Sequence, residues 1–454
     1  MALFDTLKKY NLISRKGVRV STIDSLSSKK IVDIAEAIVN ENPISEDDIK
    51  PSAFSHCASL SLSGGRQECN WVGCRAARLN ELARFAALYS DRVYIDNFFS
   101  SYVHYKNIDD ESFVKQVFFD DLSLIVPLKP LIETQCISLF TPREHLCPHS
   151  LARRRLGNNA DKRLYKEHLR LVKDYYLNTN VSVEKKDGEY QFLLEAPEPY
   201  LSHGQRVVIP KKLPEIISSR PRIMSQLDRG STVKVSQLIR RKLGFHRELA
   251  NDVVSSISYE LAVSHLLRTS FLSDKTIHLS FLRSISDDIE LCDRNNIAFK
   301  HLSSMVPFVE DVEIKNLIKL RNREEEAFIK FRRALNEAID EFRLGKSSFT
   351  EKDARTLHAD IIAPSLASLD QRLRHAKKDL ITKTSKSVAA VAGVISFGLY
   401  LGFIPSEMLE LAKAIGFTKL ASDIVEKTLS LGDAAKSIKQ EDMYFLWRVK
   451  QMGK

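Results

Sequence analysis

The sequence predicts an α+β fold: a small mixed α/β N-terminal domain, a basic middle region with a β-hairpin, and a mainly helical C-terminal domain with an apolar central helix. Three observations predict it. Helix-period and strand-like segments alternate over residues 50–150, a turn-centred hairpin pattern follows near Gly188, and helical periodicity dominates beyond about residue 230. A chain of 454 residues can bury more than one core, and the boundaries fall at 1–150, 151–230 and 231–454.

Near the start, Ile31, Val32, Ile34, Ala35, Ala37, Ile38 and Val39 recur at helical spacing before "NENP", so a helix over 27–40 is ended by Pro43. "SHCASLSLSGGRQECNWVGC" reads as irregular and turn-rich, and "RAARLNELARFAALYSD" as an amphipathic helix. "RVYIDNFF" and "QCISLFTP" are strand candidates on either side of the helix-like "FFDDLSLIVPLKPLIE". Alternating Val181 and Val183, the Asp187-Gly188 turn, then Tyr190 and Phe192 spell a hairpin, to which "QRVVIP" adds a third strand. Two helical pieces then flank Gly244, strand signals fade, and Leu317, Leu320, Phe328, Phe331, Leu335 and Ile339 line one long helix from Val312 to Leu344.

A formal charge of +10 and a pI of about 9.1 favour a polyanionic partner, nucleic acid or an anionic surface. Six cysteines in so long a chain cannot build a disulfide framework, and the first residues mix charges where a signal peptide needs an apolar run. Both observations place the chain in the cytoplasm with reduced thiols.

Motifs that dictate a reaction are missing. Gly345-Lys346-Ser347 matches only the end of a phosphate-binding loop, because Asp340 stands where the first glycine belongs and a helix precedes it instead of a strand. "GxSxG" is absent, and the histidines are scattered. Cys69, Cys74, Cys147 and His149 offer thiolate and imidazole ligands for a structural zinc, although they do not form two tight pairs. Arg153, Arg154, Arg155, Arg240 and Arg241 stand in basic runs suited to phosphate contacts without a groove-reading motif.

"SVAAVAGVISFGLYLGFIP" is the one long apolar run. From Val388 to Ile404 it holds no charge, yet 17 residues are at the lower limit for about 30 Å of hydrocarbon. Small-xxx-small pairs such as Gly398 and Gly402 suit close helix packing, so it is read as the central helix of a bundle that reaches a membrane only after a conformational change. At the other end of this domain, Tyr444 to Trp447 form a bulky patch that docks on the helical domain or on a partner.

"CNWVGCRAARLNELARFAALYSDRVYI", "LSLIVPLKPLIETQCISLFTP" followed by "CPH", and "EDMYFLWRVK" together resemble uncharacterised bacterial proteins found among mobile and antiphage-defence genes. The resemblance implies a bacterial accessory or effector role and transfers no catalytic residue. The preferred function is therefore a non-enzymatic component of a stress or defence assembly, binding a protein partner and nucleic acid. The alternatives are a membrane-permeabilising effector using 388–404, and a nuclease or hydrolase whose carboxylates converge only in three dimensions.

Overall fold

The computed structural model describes residues 2–41, 52–141 and 160–278 apart from short gaps (16, 53, 67–69, 107, 109, 198–199, 202–203 and 276), then 281, 313–343, scattered positions from 356 to 371, and 441–452 except 443. They fall into two compact units, residues 1–82 with 90–296, and residues 83–89 with 297–454. Both helix and sheet are present, so the mixed α+β class holds.

The first unit opens with α1 (Ala2–Lys9), a short antiparallel pair of β1 (Ile13–Ser14) and β2 (Gly17–Val18), α2 (Val20–Asp24) and α3 (Ser28–Glu41). In α3 the periodic Ile31, Ile34, Ala35 and Ile38 are fully buried, as an amphipathic helix requires. Next come β3 (Ser55–Ala58), α4 (Val72–Leu88), β4 (Arg92–Asp96), α5 (Glu111–Ile125), α6 (Lys129–Glu133) and β5 (Ile137–Phe140). Asp110 starts α5 by accepting the Phe113 N–H at 3.0 Å, and a 3-10 turn containing Pro127 separates α5 from α6.

The chain continues through α7 (Ala160–Asn178), β6 (Asn180–Lys186), β7 (Glu189–Glu195) and β8 (Gln205–Val208). Asp187 and Gly188 both take positive φ, +51° and +83°, the pair of values a two-residue hairpin turn needs. After α8 (Glu215–Ser218) and α9 (Pro221–Asp228), β9 (Val233–Lys234) completes an antiparallel sheet in the order β8-β7-β6-β9. Its buried face, Val181, Val183, Phe192 and Leu194, packs with Ile217, Leu227 and Ile239. α10 (Gln237–Leu243) ends at Gly244, whose φ of +78° lets α11 (Phe245–Leu266) begin at once.

Past α11, β10 (Ser270–Leu272) joins the other sheet, which is parallel throughout with the order β10-β3-β4-β5. This strand corrects the expectation that strands end near residue 230. It also carries the first unit across the boundaries expected at 150 and 230, because the hairpin module and α11 are an insertion between two strands of one sheet.

In the second unit, the helix expected from Val312 to Leu344 is two: α12 (Ile314–Arg323) and α13 (Glu325–Arg343). The break is at Glu324, whose φ of −114° and ψ of 43° leave the helical region. Tyr89 donates its hydroxyl to Asn336, and its carbonyl accepts from Arg332 at 3.2 Å. α14 (Tyr444–Met452) packs on α13, with the Phe445 ring 5.1 Å from Phe328 and 5.8 Å from Phe331. The terminal patch, Tyr444 to Trp447, is thus buried within the chain. The apolar run 388–404 lies outside the described residues, and no helix among the described residues is long and apolar enough to cross a membrane.

Candidate functional site

In the parallel sheet the chain builds β3, β4 and β5 outward in one direction and later returns to lay β10 against the other side of β3. Such a reversal leaves a crevice at the carboxyl ends of the strands, the place where open α/β sheets bind ligands. Register puts polar residues there. Cys57 pairs with both Tyr94 and Phe271, so the residues two further on, Ser59, Asp96 and Ser273, stand on one level. Asn97, Thr141 and Asp274 follow at the next.

The loop after β3 is held tightly. The Ser59 N–H donates to the Leu272 carbonyl at 2.8 Å, Ser59 Oγ accepts from the Leu62 N–H at 3.2 Å, and the Gly65 N–H donates to the Leu60 carbonyl at 2.8 Å. Gly64 turns the chain at a φ of +73°, where an added Cβ would lie 2.7 Å from Leu79 Cδ1. Its carbonyl accepts Arg75 Nε at 2.6 Å, and Arg75 and Arg66 each reach an oxygen of Asp121 at 2.7 Å. Tyr102 donates to the same carboxylate at 2.9 Å. Burial raises the pKa of Asp121, while the two guanidiniums pull it back. This buried knot on α4 and α5 fixes the loop.

Side chains from three elements meet over that loop. Asp274 accepts from Ser61 Oγ at 2.8 Å and Ser59 Oγ at 3.4 Å, and Ser61 Oγ accepts from Arg78 of α4 at 2.7 Å. Glu260 of α11 accepts from the Leu60 N–H at 3.1 Å and from Ser256 Oγ at 3.2 Å. Its other oxygen is 3.5 Å from His278 Nδ1, which also meets Ser273 Oγ at 3.2 Å. Burial, with Lys275 nearby, lowers the His278 pKa to about 3, so the imidazole faces Glu260 neutral and the contact is not an ion pair. Burial, Asp274 and Arg78 act on Glu81, the first two raising its pKa and the arginine lowering it.

Asp96 is a strongly perturbed and partly open group. Part of its surface remains accessible, yet the protein packs closely around its carboxyl and pushes the pKa up to about 7, against one favourable bond from the Asn97 N–H. It shares a face with Tyr94 and Cys57, which pack beneath α11 with Val263 and Tyr259. Burial raises the Tyr259 hydroxyl and the Cys57 thiol above their ordinary ranges, and Asp96 and Glu260 push both further. Cys57 is accordingly an inert thiol. Asn97 donates to Thr141 Oγ1 at 2.9 Å, linking the ends of β4 and β5.

Two pairs of carboxyl groups thus stand past the strand ends: Glu81 of α4 with Asp274 of the loop after β10, beside Arg78, and Asp96 of β4 with Glu260 of α11, both acting on Tyr259 and Cys57. Such a field stabilises developing positive charge and gives little to a phosphoryl group. A carboxyl that titrates near neutrality beside it can exchange a proton with a bound ligand.

The residues expected from sequence lie elsewhere. Arg240 is buried, its guanidinium donating to the Thr179 carbonyl and covering the Tyr176 ring at 4.6 Å, whereas Arg241 is exposed. Arg153, Arg154, Arg155, Cys69, Cys147 and His149 are outside the described residues, and Cys74 is half-buried on α4. Among the described residues no group of three or more His, Cys, Asp or Glu is arranged to hold a metal. Sequence reasoning did not find Asp96, Glu260 or Asp274. The only local signal was the position of Asp96 at the end of a strand candidate. No protein-family model, curated protein or solved structure matches the chain.

Proposed function

We propose that the carboxyl edge of the parallel sheet binds a small ribose-bearing ligand and hydrolyses its glycosidic bond, with Asp96 as general acid. The observation that carries this reading is that Asp96 and Glu260 both act on Tyr259 and Cys57 at the switch point, with Asp274 past the neighbouring strand end, and that burial pushes the Asp96 pKa up to about 7. Hydroxyl-rich ligands suit the partly exposed Asp96, Thr141 and Asp274, whose strand ends the buried Ser59, Ser61 and Asn97 brace through their own hydrogen bonds. Cleavage of a glycosidic bond passes through a cationic, oxocarbenium-like transition state, which an acidic crevice stabilises. This favours the hydrolase alternative over a non-enzymatic role. The setting we propose is an accessory or effector of a bacterial stress or antiphage-defence assembly in the cytoplasm, acting with a protein partner. Its support is the sequence resemblance, and Cys57, Cys74 and Cys136, none in a disulfide, are compatible with it.

The test is incubation of the purified chain with adenosine and with NAD, following release of adenine or nicotinamide by chromatography. The expected result is release that Asp96→Asn abolishes, while calorimetric binding of the same probe persists. Neither release nor binding of either probe, or full release by the Asp96→Asn variant, overturns the assignment.

A further inference from the structure

Segment 205–247 holds eleven lysines and arginines against Glu215 and Asp228 alone, a net +9 where the whole chain carries +10. A large local excess of positive charge is thus gathered in β8, α8, α9, β9, α10, the turns between them and the start of α11. These elements form one body: α8 touches α9 and α10, and α9 touches β6 and β9. Lys211, Lys212, Arg222, Lys234, Arg241 and Lys242 are exposed, and among the described residues no carboxylate lies within ion-pair distance of any of them. Of the two acids, Asp228 is taken by Lys185 of β6 at 3.0 Å. Arg206 is matched by Asp252 of α11, and Arg240 is spent internally on Thr179 and Tyr176.

We infer that this module is a docking surface for double-stranded nucleic acid, read through its phosphates and not its bases. Partly buried cations next to acids would be structural. Exposed cations gathered from two helices, a strand and a turn, unpaired with any carboxylate of the described residues, repel one another and are kept at a cost unless a polyanion covers them. An anionic membrane fits less well, because Ile223, Met224 and Leu227 of α9 pack into the protein core and the exposed apolar residues Val207, Ile209 and Leu238 come from β8, the turn after it and α10, not from one helix face. A single strand fits less well too, since the module exposes no aromatic ring on which bases could stack. The surface goes beyond the glycosidic site and does not depend on it.

The experiment is fluorescence anisotropy of the full chain with a labelled duplex of about 20 base pairs over a salt series. The expected result is binding at low salt that weakens steeply as salt rises. The combined variant Lys211→Glu, Arg222→Glu, Arg241→Glu and Lys242→Glu loses at least tenfold in affinity, and its log–log salt slope is smaller by about 3 to 4, near 0.9 for each phosphate contact removed. A set with Gln at the same four positions, checked for an unchanged melting temperature, shows the same direction in a folded protein. Asp96→Asn leaves binding unchanged. No duplex binding by the native chain, an unaltered slope in the folded Gln set, or tighter capture by a single strand or by phosphatidylserine vesicles overturns the inference.

Discussion

Asp96→Asn tests the site through the energetics of folding. In the unfolded chain this carboxyl titrates near 3.8, and in the native protein at about 7. The native state therefore holds its proton where the unfolded state has lost it, and stability falls as pH rises from about 4 through 7. Each tenfold step in proton affinity is about 1.4 kcal/mol, so the full cost above pH 7 is about 4 kcal/mol. Partial access to water, and the Asn97 N–H bond that an amide keeps only through its carbonyl oxygen, reduce this to about 2 kcal/mol. Asn is isosteric and carries no charge to desolvate. Urea denaturation followed by circular dichroism at pH 4.5 and pH 8 reads the effect, with the midpoint converted through a common slope. The variant should be more stable than the native chain by about 2 kcal/mol at pH 8 and by well under 1 kcal/mol at pH 4.5. Equal differences at the two pH values, or a variant less stable at pH 8, would refute the argument that this carboxyl is held against its solvation for a purpose. The same substitution should abolish turnover, the familiar exchange of stability for activity.

Two further outcomes follow from the packing. Asp121→Ala leaves the buried Arg75 and the half-buried Arg66 without their carboxylate, and breaking such a knot should cost about 3–5 kcal/mol in chemical denaturation while also loosening the loop from Ser59 to Arg66, seen as faster amide exchange there. Phe445→Ala empties the space between Phe328 and Phe331 and should lower stability by about 3–5 kcal/mol, read as a shifted melting transition, with Trp447 emission moving to the red as α14 detaches.

Much of the fold was legible because its elements announce themselves locally. The period of Ile31, Ile34 and Ile38 gave α3, the Asp187-Gly188 pair gave the hairpin, and Gly244 marked the junction of α10 and α11. β3 and β10 were not legible. Strands of a parallel sheet are covered on both faces, so they lack the alternation that reveals a half-exposed strand, and "SHCA" and "SFL" are too short to stand out otherwise. Missing β10 meant missing the switch point, and with it the site. Asp96, Glu260 and Asp274 carry no local motif, since what unites them is the order of strands. Basic charge was legible as composition, but the burial of Arg240 depends on Tyr176 and Thr179, some sixty residues earlier in the chain.

The bond between Ser61 and Asp274 joins positions 213 residues apart. On a ribosome adding about 5–20 residues each second, roughly 10–40 s separate the synthesis of its two ends. During that interval β3, β4 and β5 have emerged with one side of β3 unpaired, while the short-range pairing of β6 with β7 is free to form. A chain released early would carry the basic surface without a completed crevice. The acidic edge is thus made only after the chain has passed Asp274 and His278, a timing written into the strand order itself.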